Sequence, residues 1–372
     1  MSTTMAASTI YAAVDARHMQ RAIELAWRGW GRVHPNPLVG AVVTDSSGAL
    51  VSEGWHAEYG HAHAEAIALE QAGARAAGGT LYVTLEPCAH HGKTPPCTDA
   101  VLRSGVARVV IAQRDPNPVA AGGLERLRAA GIEVEIGVEQ RAAADQNAAF
   151  LHWHRTGTPY VALKFGMSLD ARITAAPGVR TDVTGPEAHA EVHRLRAGFD
   201  AIMVGAETAR VDDPQLTARG AVAPRRAPLR VVLASDARLA PESRLASDTA
   251  AAPTLLFAAA DATGSIQALE ARGVRVARAR RAVSGGLDLD DVMTQLAAAG
   301  VHSVLCEGGG RLGSALLSAG LVQRLYLFVA PTLLGAQAPA AFVDLAAKAS
   351  RTWRLVRSAP FGVDTLIELA RS

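Results

Sequence analysis

The 372-residue chain is short of cysteine, of aromatic residues and of net charge, and each shortage narrows what it can be. Its three cysteines, Cys88, Cys97 and Cys306, are too few and odd in number for a disulfide framework. A formal net charge of +2 supplies no strong basic field, which argues against nucleic acid or an anionic membrane as a partner. The local basic clusters at Arg225-Arg226 and Arg278–Arg281 read as solvated surface. No run approaches the roughly 18 uninterrupted apolar residues of a membrane span, and Ser/Thr/Ala-rich Met1–Ala13 lacks the basic start and apolar stretch of a secretory signal. A cytoplasmic location is the expectation. With 49% hydrophobic and 19% charged residues the chain suits a globular protein rather than long disorder, and its length favours two cores over one.

What is present is an alternation of strand and helix patterns. A flexible tail is expected over 1–14. From Asp15, the spacing of Met19, Ala22, Ile23, Leu25 and Ala26 predicts a helix, and Pro35-Asn36-Pro37 stops helical structure there. Strands are predicted at 38–43, 51–55, 80–84, 107–112 and 133–138, with helices at 62–71, 98–104, 124–130 and 141–154. The polar, turn-forming Arg155–Pro159 then marks a boundary, giving a first domain over 15–157 and a second over 158–372. Beyond it strands are predicted at 160–165, 201–204, 229–233, 254–257, 274–277, 301–306 and 324–329, and helices at 186–197, 289–299 and 311–319. Both halves are of the layered α/β class, without an internal repeat.

The strongest local signal is His63-Ala64-Glu65 followed by Pro87-Cys88 and Cys97. His-x-Glu with a later Pro-Cys and a second cysteine is the pattern of zinc deaminases. One imidazole and two thiolates make a three-donor zinc site, in which a water takes the fourth position and ionises near neutral pH. Glu65, two residues past His63, is placed to move that water's proton to a leaving amine. The alternative is a closed structural zinc with His56, His61, His90 or His91 as fourth donor. Eight residues separate the cysteines, not two, which disfavours the nucleic-acid and cytidine deaminases. Cys306, inside an apolar run, reads as a small buried group.

These motifs resemble the bifunctional riboflavin biosynthesis family, a pyrimidine deaminase fused to a reductase. The resemblance runs from about Met19 to Glu368. It is carried by Val33-His34-Pro35-Asn36-Pro37-Leu38-Val39-Gly40, His61-Ala62-His63-Ala64-Glu65, Thr84-Leu85-Glu86-Pro87-Cys88 and Lys93-Thr94-Pro95-Pro96-Cys97-Thr98, with the long cysteine spacing as a family trait. It implies an N-terminal cytidine-deaminase-like three-layer domain and a C-terminal dihydrofolate-reductase-like α/β domain. It also implies zinc held by His63, Cys88 and Cys97, Glu65 as proton shuttle, and Asn36 with the Cys88–Cys97 loop against the pyrimidine. The substrate implied is a small phosphoribosylaminopyrimidine, deaminated and then reduced at its ribosyl side chain with NADPH. A homo-oligomer is left open. So is a deaminase of another pyrimidine or nucleoside, its second half degenerate or regulatory.

In the second half, Ser168-Leu169-Asp170 follows a strand whose end can face a ligand crevice. Residues 208–219 read as a polar loop, and Glu307-Gly308-Gly309-Gly310-Arg311-Leu312-Gly313 joins a strand to a helix whose amino end suits a phosphate. Gly308, Gly310 and Gly313 fit Gly-x-Gly-x-x-Gly, yet the motif lies near the end of its domain and no acidic residue follows within 321–329, so a Rossmann domain is rejected. By resemblance, Gly166, Asp182, Thr208, Asp212, Ser235, Gly309, Gly310, Arg311, Leu312, Gly313, Ser314 and Ala315 contact NADPH. Arg180, Arg196, Leu216, Arg219 and Glu307 contact the substrate. Four places depart from the family pattern: Ala171 stands for a usual glycine, Arg180 for a serine and Asp182 for a tryptophan, and the loop after Asp115-Pro116-Asn117-Pro118 is shortened.

Overall fold

The computed structural model describes residues 2–92, 94–283, 285–345 and 353–372, with side chains from residue 12 onward. Its backbone divides between Thr156 and Gly157 into two units, each with its own sheet.

The first unit contains α1 (Ser2–Ala26), β1 (Gly40–Thr44), β2 (Leu50–Trp55), α2 (Ala64–Ala72), β3 (Thr80–Leu85), α3 (Cys97–Ser104), β4 (Arg108–Gln113), α4 (Gly123–Ala129), β5 (Glu133–Ile136), α5 (Gln140–Gln146) and α6 (Ala148–Thr156). Its strands lie in the order β2-β1-β3-β4-β5. The β2, β1 and β3 neighbours are antiparallel and the rest parallel. Strands β1, β3 and β4 are almost continuously apolar because both faces are covered. Val43, Leu81, Val83 and Ile111 pack with Ala68, Val101 and Leu124 from α2, α3 and α4, while Val42, Tyr82 and Val110 pack with Met19 and Leu25 of α1. The result is three layers.

Two local expectations differ from the structure. Helix α1 runs back through residues 2–14, the expected tail; neither proline nor glycine interrupts Ser2–Ala26, so nothing there stops a helix from extending. The single helix expected over 141–154 is two. Asn147 leaves helical geometry (φ −102°, ψ 22°), and its side chain bonds both the N–H and the carbonyl of Leu38 at 2.8 Å.

On the α1 side of the sheet, Asp15 is buried. It accepts two 2.8 Å bonds from the Arg108 guanidinium and one from the Tyr82 hydroxyl. Burial pushes its carboxyl up, but these donors outweigh that and hold it below the usual carboxylate range. A depressed folded-state pKa contributes stability above the unfolded value near 4 that is lost as pH falls through the folded one. Asp15→Asn should therefore cost about 3 kcal/mol at neutral pH, since it leaves Arg108 short of its buried counter-charge. Its denaturant midpoint should then fall less steeply than wild type below pH 4.

The second unit contains β6 (Tyr160–Ser168), α7 (Pro186–Ala197), β7 (Ala201–Gly205), α8 (Ala206–Asp212), β8 (Leu229–Leu233), α9 (Arg244–Ser247), β9 (Thr254–Ala259), α10 (Ile266–Ala271), β10 (Arg275–Ala279), α11 (Leu289–Ala298), β11 (Ser303–Cys306), α12 (Gly310–Ser318), β12 (Val322–Ala330), β13 (Trp353–Phe361) and β14 (Asp364–Arg371). Strand order is β10-β9-β8-β7-β11-β6-β12-β14-β13, and every pairing from β10 to β12 is parallel. The carboxyl ends of β6, β7, β8 and β11 thus share one edge, where open α/β sheets bind ligands. Cys306 is fully buried among Val161, Met203 and Val304, in keeping with its reading as a core side chain. The β13–β14 hairpin was not expected from sequence. It turns through Gly362 (φ 62°) and Val363, with Phe361 paired to Asp364.

After β6 the chain reverses through Ala171 at φ 57°, a left-handed conformation. A side chain there costs roughly 1–2 kcal/mol, partly offset by the unfolded-state freedom that glycine would add. Ala171→Gly should raise stability by about 0.5–1 kcal/mol, read as a higher melting temperature in calorimetry.

Candidate active sites

In the first unit, β3 delivers the chain to Cys88 and α2 and α3 begin beside it. His63 is the residue capping α2, in extended conformation, and Cys97 opens α3 directly after Pro96. Backbone bonds tie the two cysteine segments together: the Cys97 N–H donates to Cys88 Sγ at 3.3 Å and the Thr98 N–H to the Cys88 carbonyl at 3.2 Å. Nδ1 of His63 lies 3.1 Å from Cys97 Sγ and 3.7 Å from Cys88 Sγ. All three donor atoms fall within 4.8 Å of one another. Tetrahedral zinc would set such donors roughly 3.5–3.8 Å apart, from its metal–ligand bond lengths, so the residues fit the ion. Among the described residues no fourth donor joins this group. His56, one candidate for closing the site, instead spends its ring on the Ala62 carbonyl and the Asn36 amide, each at 3.1 Å. Three protein donors are the arrangement of a catalytic rather than a structural zinc.

Glu65 sits in the first turn of α2, buried, and its Oε2 has no hydrogen-bond partner. Burial pushes its carboxyl up, which is the state of a group that can hold a proton. Asn36 stands beside His56, whose ring meets that of His63 edge-on at 5.2 Å between centroids. Burial holds His56 down at about 4. Lys93, part of the motif between the cysteines, lies outside the described residues. Sequence reasoning assigned Glu86 no role beyond its place in the Thr84–Cys88 motif. Its carboxylate accepts from the N–H groups of Gly122, Leu124 and Asp115, which lays residues 115–124 back along the Cys88 segment, with Ala120 packed on both cysteines.

In the second unit, Glu307 leaves the end of β11 with its side chain buried between two cations. Arg196 from α7 grips it through Nε (2.6 Å) and Nη2 (2.9 Å), and Lys164 from β6 lies 3.2 Å away. Burial raises the Glu307 carboxyl, but Arg196 and Lys164 overcome it and hold it at about 2. Lys164 was not singled out from sequence. Arg196 also donates to the Thr217 carbonyl (3.2 Å), which His193 Nδ1 contacts at 3.0 Å. Together they fix the segment carrying Leu216, itself buried at φ 50°, and the exposed Arg219.

Other expected residues are divided. Thr208 to Asp212 are helical in α8, not loop, since Gly205 starts a helix immediately after β7. The Thr208 hydroxyl accepts from the Gly309 N–H at 3.0 Å, and Asp212 lies within electrostatic reach of Arg180, Lys164 and Asp182. Arg180 and Asp182 form an exposed ion pair of 3.4 Å. Gly166 packs beside Thr184. Ser235, Arg311, Leu312 and Ala315 line a cavity of about 540 Å³ with Gly205 and Asp288. Ser314 is elsewhere: its hydroxyl accepts from the Val343 N–H at 2.8 Å. The glycines serve packing as much as ligand approach. A Cβ on Gly310 would lie 2.3 Å from the Ala340 carbonyl, and one on Gly313 2.6 Å from the Phe165 ring. Asp170 accepts from Ser168, Leu334 and Gly335 and pins the segment after β12.

A three-donor metal cluster with a buried carboxylate, joined in one chain to a parallel sheet with a ligand cavity at its carboxyl edge, defines a two-domain deaminase–reductase. The family model for the cytidine and deoxycytidylate deaminase zinc-binding region matches residues 13–113, and that for the RibD C-terminal domain matches 159–367. Riboflavin biosynthesis protein RibD of Escherichia coli is 42% identical over 336 residues, spanning 87% of this chain and 89% of that protein. A solved Acinetobacter baumannii RibD superposes with TM-score 0.82 at 37% identity, covering 97% of this chain and 99% of that one. A Thermotoga maritima diaminohydroxyphosphoribosylaminopyrimidine deaminase/5-amino-6-(5-phosphoribosylamino)uracil reductase does so with TM-score 0.82 at 33% identity, covering 97% and 100%. The chain belongs to the RibD family of riboflavin biosynthesis, bifunctional enzymes with a zinc-binding deaminase domain and a dihydrofolate-reductase-like reductase domain. Among the described residues no helix is long and apolar enough to cross a membrane.

Proposed function

We propose that the first unit removes the 2-amino group of 2,5-diamino-6-(5-phosphoribosylamino)pyrimidin-4-one by hydrolysis, and that the second reduces the ribosyl side chain of the product to ribityl. The observation that carries the first step is the buried carboxylate of Glu65, its Oε2 without a hydrogen-bond partner, beside three convergent zinc donors. Zinc, held by His63, Cys88 and Cys97, supplies Lewis acidity that makes water a nucleophile near neutral pH. Glu65 takes the proton from the attacking water and gives it to the departing amine, so that ammonia leaves and a ring carbonyl forms. Asn36 holds the pyrimidine edge.

For the second step NADPH supplies the hydride, and the chain supplies alignment. The amino end of α12, at Gly310 and Arg311, offers backbone donors for a pyrophosphate, with the Gly309 N–H held by Thr208, and Ser235, Leu312 and Ala315 line the adjoining cavity. Gly166, Thr208, Asp212 and Asp182 complete the cofactor side, with Ser314 supporting α12 from behind. Glu307, fixed by Arg196 and Lys164, faces the substrate with Leu216, and exposed Arg219 and Arg180 are the cations for the ribose phosphate. Both ligands are small molecules and the setting is cytoplasmic. The basic cluster at Arg278–Arg281 supports small-molecule ligands over a polyanion, because Arg281 pairs with Asp261 and Arg280 with Asp288.

Incubating the purified protein with the diaminopyrimidine phosphoribosyl precursor should release one ammonia per substrate without NADPH, and should consume NADPH only once deamination has occurred. Deamination of cytidine but not of this precursor would replace the proposed substrate.

A further inference from the structure

Within the deaminase site two ring nitrogens of His56 face two different partners, and their chemistry settles how Asn36 is turned. Nδ1 lies 3.1 Å from the Ala62 carbonyl, which can only accept, so Nδ1 carries the hydrogen. The Asn36 atom 3.1 Å from Nε2 is the amide nitrogen Nδ2, which can only donate, so Nε2 accepts and carries no hydrogen. With Nδ2 spent on His56, the group Asn36 has left for a ligand is its carbonyl oxygen.

We propose that His56 is a positioning residue that locks the Asn36 side chain as a hydrogen-bond acceptor, and so makes this site select a pyrimidine edge bearing N–H. This deepens the deaminase reading above and rests on Asn36 meeting the ring. A 2-aminopyrimidin-4-one offers such donors in its ring N–H and amino groups. The ring nitrogen beside the amino carbon of cytosine is an acceptor and would set lone pair against lone pair. Hydrogen-bond mismatch of this kind discriminates strongly, because a buried polar group is left unpaired. The Ala62 carbonyl is the anchor: it belongs to the His61–Glu65 segment that carries zinc donor His63, so amide orientation and metal site share one piece of backbone.

Two measurements on the zinc-loaded full chain test this. The first uses histidine labelled with ¹⁵N and long-range ¹H–¹⁵N correlation at neutral pH. His56 should show the Nδ1–H form with unprotonated Nε2; an Nε2–H or doubly protonated ring overturns the proposal, whatever the enzyme acts on. The second is a double-mutant cycle on deamination with His56→Phe and Asn36→Ala. Each single change should lower kcat/KM by about 10–100-fold, mainly through KM, with zinc content unchanged, and the pair should be no worse than the poorer single. Effects that multiply would mean that His56 does not act through Asn36. His56→Gln, run alongside in case the phenylalanine is not tolerated, should recover part of the loss, since its side-chain oxygen can accept from Asn36. Loss of all activity in wild type would sink the substrate assignment, while the tautomer would still decide the role of His56.

Discussion

Glu65→Gln should leave the zinc and the fold in place and lower the deamination turnover by about three orders of magnitude, within the range that general acid–base groups contribute. Glutamine matches the shape of the buried side chain but can neither take a proton from water nor deliver one to the amine. Because Glu65 makes no hydrogen bond through Oε2, the change breaks no bond there that the fold depends on. Elemental analysis should find wild-type zinc content, and NADPH-dependent reduction of the already deaminated compound should proceed at the wild-type rate. Deamination at more than a tenth of the normal rate would remove Glu65 from the chemistry. Loss of zinc would instead make it a support of the metal site.

Glu307→Gln should do the reverse, silencing reduction and sparing deamination. The carboxylate is buried and held at about 2 by Arg196 and Lys164. An amide in its place leaves two cations without their counter-charge, and breaking a buried pair in this way costs about 3–5 kcal/mol. The second unit should melt several degrees lower by calorimetry, and KM for the deaminated substrate should rise, because Arg196 also holds the Thr217 carbonyl of the Leu216 segment. A depressed carboxyl contributes stability that is present above its unfolded pKa, near 4.3, and is lost toward its folded value of about 2. Acid sensitivity between pH 4 and 2 should therefore diminish in the variant. An unchanged melting profile would mean that Arg196 and Lys164 find other partners.

The convergence of His63, Cys88 and Cys97, with Glu65 nearby, was legible because each short motif has a fixed local geometry. His63 caps a helix and Glu65 lies in its first turn, while Cys88 and Cys97 are bridged by their own backbone. The apolar stretches at β1, β3, β4 and β6 through β9 were legible for a similar reason, since strands covered on both faces must be apolar almost throughout. The terminal hairpin, edge strand β13 with its neighbour β14, is mixed in polarity and carries no such signature. Helix α8 was taken for a loop because its seven residues, Ala206–Asp212, are largely polar on their exposed side. Lys164 does not stand out in the chain, and His56 does so only as a candidate fourth zinc donor, not as a partner of Asn36. Lys164 meets Glu307 only because β6 and β11 pair in parallel with Leu163 opposite Cys306, which brings the next residue on each strand together. His56 meets Asn36 across 20 residues by way of the β1–β2 hairpin.

From the chain alone came the grouping of His63, Cys88 and Cys97, the α/β character of both halves and the order of most elements, because backbone spacing and hydrophobic period act over a few residues. The tertiary structure decided which charges are buried together, which glycines are needed for packing and how the Asn36 amide is turned. Those outcomes depend on strand register and on burial, which bring distant residues within a few ångströms and remove the water that would otherwise screen them.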